Sequence, residues 1–227
     1  MTEFVFPPAA TPSIAVTGSK ARFPVRRVWC VGRNYLAHIR ELGNDEREPP
    51  FFFSKQPDMV VSGGPIPYPA LTQDFHHEVE LVVALKSGGS HISPDKALQT
   101  VFGYTVGMDL TRRDQQNAMK AQKKPWEISK SFEQSGPCGA LTEASKAGDI
   151  AKAAISLSVN GAERQNSSLA HMIWSVPEII SHLSQMVDVG AGDVIFTGTP
   201  EGVGAVVCGD RLDATIAGLE PLSITIA

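Results

Sequence analysis

The amino-acid sequence predicts a strand-rich α+β domain. Short runs rich in Val, Ile and Phe recur along the chain, some alternating in polarity and some wholly apolar. Glycine and proline, 20 and 16 of 227 residues, punctuate these runs at short intervals. Only three or four stretches carry a helical period, with no strand–helix–strand alternation, repeat, low-complexity segment or linker among them.

Residues 1–24 hold four prolines and the alternating Ser13-Ile14-Ala15-Val16, which predicts an N-terminal arm with one short strand; residues 25–227 form a single domain. Residues 25–31 read as a strand leading into Gly32-Arg33-Asn34-Tyr35. A helix over 34–42, capped by Asn34 and stopped by Gly43, would place His38 and Glu41 on one face. Residues 43–50 are a polar loop, Phe51-Phe52-Phe53 with Lys55 a short buried strand, and 57–69 a turn-rich connection. Residues 76–85 form a strand that turns from alternating to wholly apolar. A short helix follows over 95–101, with Ser93 as cap and Pro94 at its first position, then a strand over 102–108 with Asp109 at its end. Residues 109–122 are helical and charged, and 125–132 irregular or extended. Residues 155–159 running into Asn160-Gly161 predict a hairpin, and Ser175 caps a helix over 176–186. The buried strand 194–197 opens into Gly198-Thr199-Pro200-Glu201-Gly202-Val203-Gly204, and the alternating tail 211–226 is β-like.

A net charge of −4 without a basic block argues against nucleic acid. No apolar run reaches membrane-spanning length, and Met1-Thr2-Glu3-Phe4 lacks the shape of a signal peptide. Three widely spaced cysteines, Cys30, Cys138 and Cys208, suggest neither a disulfide framework nor a metal spacing. The expectation is a soluble cytoplasmic protein.

The chemistry centres on Glu78 and Glu80. Side chains two apart on a strand share a face, and two carboxylates on an apolar strand repel and are costly to desolvate. A hard divalent cation resolves that conflict; so does a strand edge that keeps its Glu face in water. Asp109, at a strand end, supplies a third carboxylate or an N-cap for the helix after it. Three oxygen ligands with room for water suit Mg²⁺ or Mn²⁺ more than Zn²⁺. His38 and Glu41 form either a general-base dyad or an incidental pair on an exposed helix. Lys130, flanked by Ile128 and Phe132, either stabilises an oxyanion or lies on a surface loop. Arg112 and Arg113 are adjacent on a helix, so at most one points into a site. The backbone of the loop 198–204 and the Thr199 hydroxyl would hold a carboxylate, or the loop is a plain glycine turn; it is not a Walker motif.

Several of these stretches, in this order, resemble the fumarylacetoacetate hydrolase superfamily, and within it the short acylpyruvate and fumarylpyruvate hydrolases. They are Gly32-Arg33-Asn34-Tyr35 with His38 and Glu41, His77-Glu78-Val79-Glu80-Leu81, and Gly107-Met108-Asp109-Leu110-Thr111 with Arg113 and Gln116. Trp126 through Phe132, Asn160-Gly161 with Arg164-Gln165, and Thr197 through Gly204 complete the set. The resemblance implies a β-roll of the family's C-terminal-domain type with a few short helices, commonly dimeric. It implies that Glu78, Glu80 and Asp109 bind Mg²⁺ or Mn²⁺, and that His38 and Glu41 activate water from a lid-like segment. It assigns Lys130 to the reacting carbonyl, Arg113 and Gln116 to the substrate, and Thr199 to its carboxylate end. For a fumaryl substrate the far carboxylate would want a cation, with Lys55 and Arg33 as candidates. The implied activity is metal-dependent cleavage of the carbon–carbon bond of 3-acylpyruvates, such as fumarylpyruvate in aromatic catabolism. Decarboxylation of oxaloacetate through the same metal enolate is the alternative; a non-catalytic metal- or ligand-binding protein is the third. The expected partner is a small oxo acid.

Overall fold

The apolar run at residues 79–85 is the spine of the protein. The structure, a computed structural model, describes residues 3–35 and 48–227. Every residue of the strand Val79–Leu85 is buried, so both of its faces lie inside. Val79, Leu81, Val83 and Leu85 enter one apolar cluster, and Val82 and Ala84 enter a second on the other face. This is why the strand alternates only at its start: a strand covered on both sides needs apolar residues throughout.

The strand is central to an eight-stranded sheet ordered Phe51–Lys55, Arg27–Gly32, Asp193–Phe196, Val79–Leu85, Val101–Met108, Gly136–Cys138, Val60–Ser62, with Thr142–Glu143 also paired to Val101–Met108. The first face is covered by a five-stranded sheet ordered Ala162–Ser168, Ala154–Val159, Arg211–Ile216, Leu222–Ile226, Gly64–Ile66, and by the helix Val176–Met186. That helix presents Val176, Ile179, Ile180 and Leu183, a helical stripe, to the core. The whole is strand-rich α+β with three α-helices among the described residues.

Several elements differ from the sequence reading for identifiable reasons. The N-terminal arm holds two strands, Ser13–Ala15 and Arg22–Pro24, paired antiparallel. Ile14, Val16 and Phe23 join Val25, Val28 and Phe196 in the second cluster, so packing runs across the boundary at residue 24. The run 76–85 is broken: Phe75–His77 pairs with Thr111–Arg112 and Gly204–Ala205 in a separate small sheet, leaving Glu78 at the junction. The helix expected over 109–122 is Arg113–Ala121, because Thr111 and Arg112 extend to pair with that small sheet. Asp109 is therefore not an N-cap. The helix at 95–101 is one α-turn, Pro94–Ala97, and one 3₁₀ turn, Leu98–Thr100. Asn160 and Gly161 both take positive φ, 52° and 79°, giving the tight turn their sequence predicts.

The parallel strands Arg27–Gly32 and Asp193–Phe196 are pinned at their start by one carboxylate. Asp193, fully buried, accepts from Arg27 Nε at 3.1 Å and Nη2 at 2.8 Å, from Arg26 Nη1 at 3.5 Å, and from the Gly190 N–H at 2.9 Å. Arg27 reaches solvent and can rehydrate if the carboxylate is lost, which limits the cost. Asp193→Ala is expected to lower unfolding free energy by about 2–3 kcal/mol, read as a reduced urea midpoint at unchanged m-value.

Candidate active site

Strand register assembles the carboxylates. Val79–Leu85 pairs antiparallel with Val101–Met108, Glu80 opposite Gly107 and Val79 opposite Met108. One residue further on, the Asp109 N–H donates to the Glu78 carbonyl at 2.8 Å. Glu78, Glu80 and Asp109 each bring one carboxylate oxygen into a group whose members lie within 4.8 Å of one another, and all three residues are buried. Their face is not in water.

Cations on neighbouring segments answer this charge. Lys130, buried just after the 3₁₀ turn Glu127–Ser129, donates from Nζ to Glu78 Oε2 and to Asp109 Oδ2, both at 2.7 Å. Arg113 donates to Glu78 Oε1 and, from Nη1, to Gln116 Oε1 at 2.7 Å. Burial alone would raise the Glu78 carboxyl, but Lys130 and Arg113 outweigh it and hold the group down to about 2. Burial would likewise lower the Lys130 ammonium; Asp109 and Glu78 overcome that and raise it. Glu80 is treated differently. Burial, then the Asp109 and Glu78 charges, push its carboxyl well above the usual range, and its neutral partner is the Gly198 N–H, 2.7 Å from Oε2. A further cation beside Glu80 would favour its charged form.

The donor set fits such a cation: three hard carboxylate oxygens converge from Val79–Leu85, the junction before it and the end of Val101–Met108, and one of them lacks an ionic partner. Glu78, Glu80 and Asp109 would hold it.

The glycine-rich loop is part of the same construction. Gly198 sits at φ 96°, and a Cβ there would stand 2.8 Å from Asn34 Cβ, so glycine lets the chain reach Glu80. Thr199 accepts from Gln165 Nε2 at 2.8 Å, which leaves its own O–H free to donate into the cavity it lines. The Asn34 side chain accepts from the Trp174 N–H and donates to the Trp174 and Thr197 carbonyls; the helix it was expected to cap, over 34–42, lies outside the described residues beyond Tyr35.

Arg33, Glu78, Glu80, Asp109, Arg113, Gln116, Lys130 and Thr199 line one cavity of about 430 Å³. Lys55 does not. It is fully buried behind Asp109, 2.8 Å from Oδ1, and donates to the Lys130 carbonyl and to Ser135 Oγ at 3.2 Å. A lysine so enclosed cannot meet substrate; it holds Asp109 in place. His38 and Glu41 lie outside the described residues. The cavity also has lining residues that the sequence reading missed. Asn117 and Lys120 follow Gln116 at helical spacing, a periodicity legible once the helix starts at Arg113. His76, with Nε2 2.7 Å from Asp74 Oδ1, lies two residues before Glu78. Phe51, Phe53 and Trp126 form an aromatic wall.

Known proteins resemble this chain over most of its length. The family model described as Fumarylacetoacetate (FAA) hydrolase C-terminal matches residues 27–227. A fumarylpyruvate hydrolase from a Ralstonia species is 39% identical over 180 residues, covering 79% of this chain and 93% of that one. A mitochondrial oxaloacetate decarboxylase from Dictyostelium discoideum is 38% identical over 197 residues, covering 86% of this chain and 90% of that one. The crystal structure of fumarylpyruvate hydrolase from Pseudomonas aeruginosa in complex with Mn²⁺ and pyruvate superposes with a TM-score of 0.96, at 48% identity, covering 99% of each chain.

Glu80→Gln is expected to weaken Mn²⁺ binding to chelator-treated protein by about 100-fold or more in titration calorimetry, at unchanged circular dichroism.

Proposed function

The chain belongs to the fumarylacetoacetate hydrolase family, and from that membership we propose that it hydrolyses 3-acylpyruvates, with fumarylpyruvate as substrate and fumarate and pyruvate as products. The observation that carries the reading is the cavity itself: a buried carboxylate triad with Lys130 across two of its members, and Arg113, Gln116 and Thr199 facing the same space. The 48% identical Pseudomonas aeruginosa fumarylpyruvate hydrolase, solved with Mn²⁺ and pyruvate, supports both the substrate class and the metal.

Mg²⁺ or Mn²⁺ held by Glu78, Glu80 and Asp109 would supply Lewis acidity for the 2-oxo acid end and for the enolate that leaves. Arg113, with Gln116 beside it, and the Thr199 hydroxyl bind and orient the carboxylate of the pyruvyl end. His38, oriented by Glu41, takes a proton from water as the water oxygen bonds to the distal carbonyl carbon. Lys130 stabilises the negative charge that develops on that carbonyl oxygen; its ammonium is kept charged by Glu78 and Asp109. The oxyanion collapses, the carbon–carbon bond breaks with its electron pair going to C3 of the pyruvyl part, and the proton returns there. One water is consumed and the acyl part leaves as its carboxylate.

The kinship with the Dictyostelium oxaloacetate decarboxylase favours a second reading, in which the same pyruvate enolate forms by loss of carbon dioxide without an attacking water.

The test is the ultraviolet decay of the enol band of fumarylpyruvate, with chelated protein before and after addition of Mg²⁺ or Mn²⁺. Metal-dependent decay is expected. Absence of decay together with metal-dependent pyruvate release from oxaloacetate would replace hydrolysis by decarboxylation. His38→Ala is expected to lower kcat for fumarylpyruvate by about 100-fold or more with Mn²⁺ affinity kept; full turnover in that variant would remove the dyad from the mechanism.

A further inference from the structure

Four cationic side chains line the cavity, and two of them are committed to carboxylates. Arg113 pairs with Glu78, and Lys130 with Glu78 and Asp109. Arg33 and Lys120 have no carboxylate partner among the described residues. They stand instead along the aromatic wall. Lys130 Nζ is 5.6 Å from the Phe53 ring centre, and that ring is 5.0 Å from Trp126. Lys120 Nζ is 5.4 Å from the Trp126 ring. Phe51 lies 6.2 Å from Trp126, and Arg33 Cζ is 6.0 Å from the Phe51 ring. From the carboxylate triad outward the order is therefore Lys130, Phe53, Trp126 with Lys120, then Phe51 with Arg33. Lys120 and Arg33 are exposed, so this end is the mouth.

Two cations without a carboxylate partner among the described residues thus stand at the exposed end, and two paired ones lie deeper. Partial desolvation, with Arg113, Lys130 and Arg33 all repelling it, pulls the Lys120 ammonium down to about 8. A local excess of positive charge beside a flat apolar wall is complementary to a planar chain that ends in an anion.

We infer that Lys120, with Arg33 and the Asn117 amide, forms the subsite for a terminal carboxylate on the acyl chain. The subsite makes the protein selective for acylpyruvates whose acyl part is an unsaturated dicarboxylic acid. The inference rests on the hydrolase reading and names the substrate end that the metal-proximal residues leave unspecified. Lys120 takes the role for which Lys55 was a candidate, because Lys55 is sealed behind Asp109.

The experiment compares kcat/KM for fumarylpyruvate with that for acetylpyruvate, which lacks the distal carboxylate, in the wild type, Lys120→Met and Lys120→Arg, all loaded with Mn²⁺. Lys120→Met is expected to raise KM for fumarylpyruvate by about tenfold or more and to cut the fumarylpyruvate-to-acetylpyruvate ratio by about 30-fold, with Lys120→Arg recovering most of it. An unchanged ratio, whether both substrates slow equally or neither does, overturns the subsite and leaves the hydrolase reading standing. If the wild type turns over neither substrate, the hydrolase reading falls, and fumarate binding followed by tryptophan fluorescence decides the subsite. A dissociation constant at least about tenfold weaker in Lys120→Met upholds it, and a smaller change overturns it.

Discussion

The structure depends on the placement of three carboxylates in a buried group at the inner end of one cavity. Each buried carboxylate is unfavourable alone, and each is tolerable only because a specific cation or N–H is held against it. Lys130 serves Glu78 and Asp109, Arg113 serves Glu78, and Lys55 serves Asp109 from behind. Glu80 is left with a neutral donor. The cluster is thus asymmetric: two members are held by cations of the protein, and the third meets only a backbone N–H. That asymmetry gives the site a fixed frame and one carboxylate without a cation of its own, which suits reversible binding of a hard cation better than three fully compensated carboxylates would.

The scaffold meets the demands of this cluster. Val79–Leu85 must be apolar on both faces to pass between two cores, and the segment leading into it must bring two glutamates to one side. Ending the pairing at Glu78 reconciles the two. The strand leaves one sheet as Phe75–His77 and enters another as Val79–Leu85, with the first metal-ligand candidate at the junction. The short pairing of Thr111–Arg112 with the same small sheet delays the next helix until Arg113, which frees Asp109 from a capping role.

Much of this was legible in the sequence because it is local. Period-two alternation puts Glu78 and Glu80 on one side, Asn160-Gly161 specifies its own turn, and Ser175 with Glu178 specifies a helix start through reciprocal side-chain bonds. What was not legible depends on partners far away in the chain. A lysine in Phe53-Ser54-Lys55-Gln56-Pro57 reads as reachable by substrate; it is buried because Asp109 neutralises it, and no local signal announces that pairing. The helix boundary moved because strand pairing outcompeted the helical preference of residues 109–112; that Gln116, Asn117 and Lys120 face the cavity depends on how the helix packs, which its period alone does not tell. The dyad residues His38 and Glu41 rest on their helical spacing and on the resemblance, since they lie outside the described residues.

Gln165 shows how the second sheet takes part. A register shift in the pairing of Ala154–Val159 with Ala162–Ser168 turns this one residue inward among exposed neighbours. Its Oε1 accepts the Val79 N–H at 3.0 Å, and its Nε2 donates to Thr199 Oγ1 at 2.8 Å and the Pro200 carbonyl at 2.9 Å. One amide therefore spans from the strand that carries Glu80 to the loop that carries Thr199. It acts as a spacer of fixed length between the place where a cation would sit and the place where a carboxylate would end. The outer sheet thereby sets the gap between the Glu80 strand and the Thr199 loop, and a shorter side chain at 165 would leave the two unconnected.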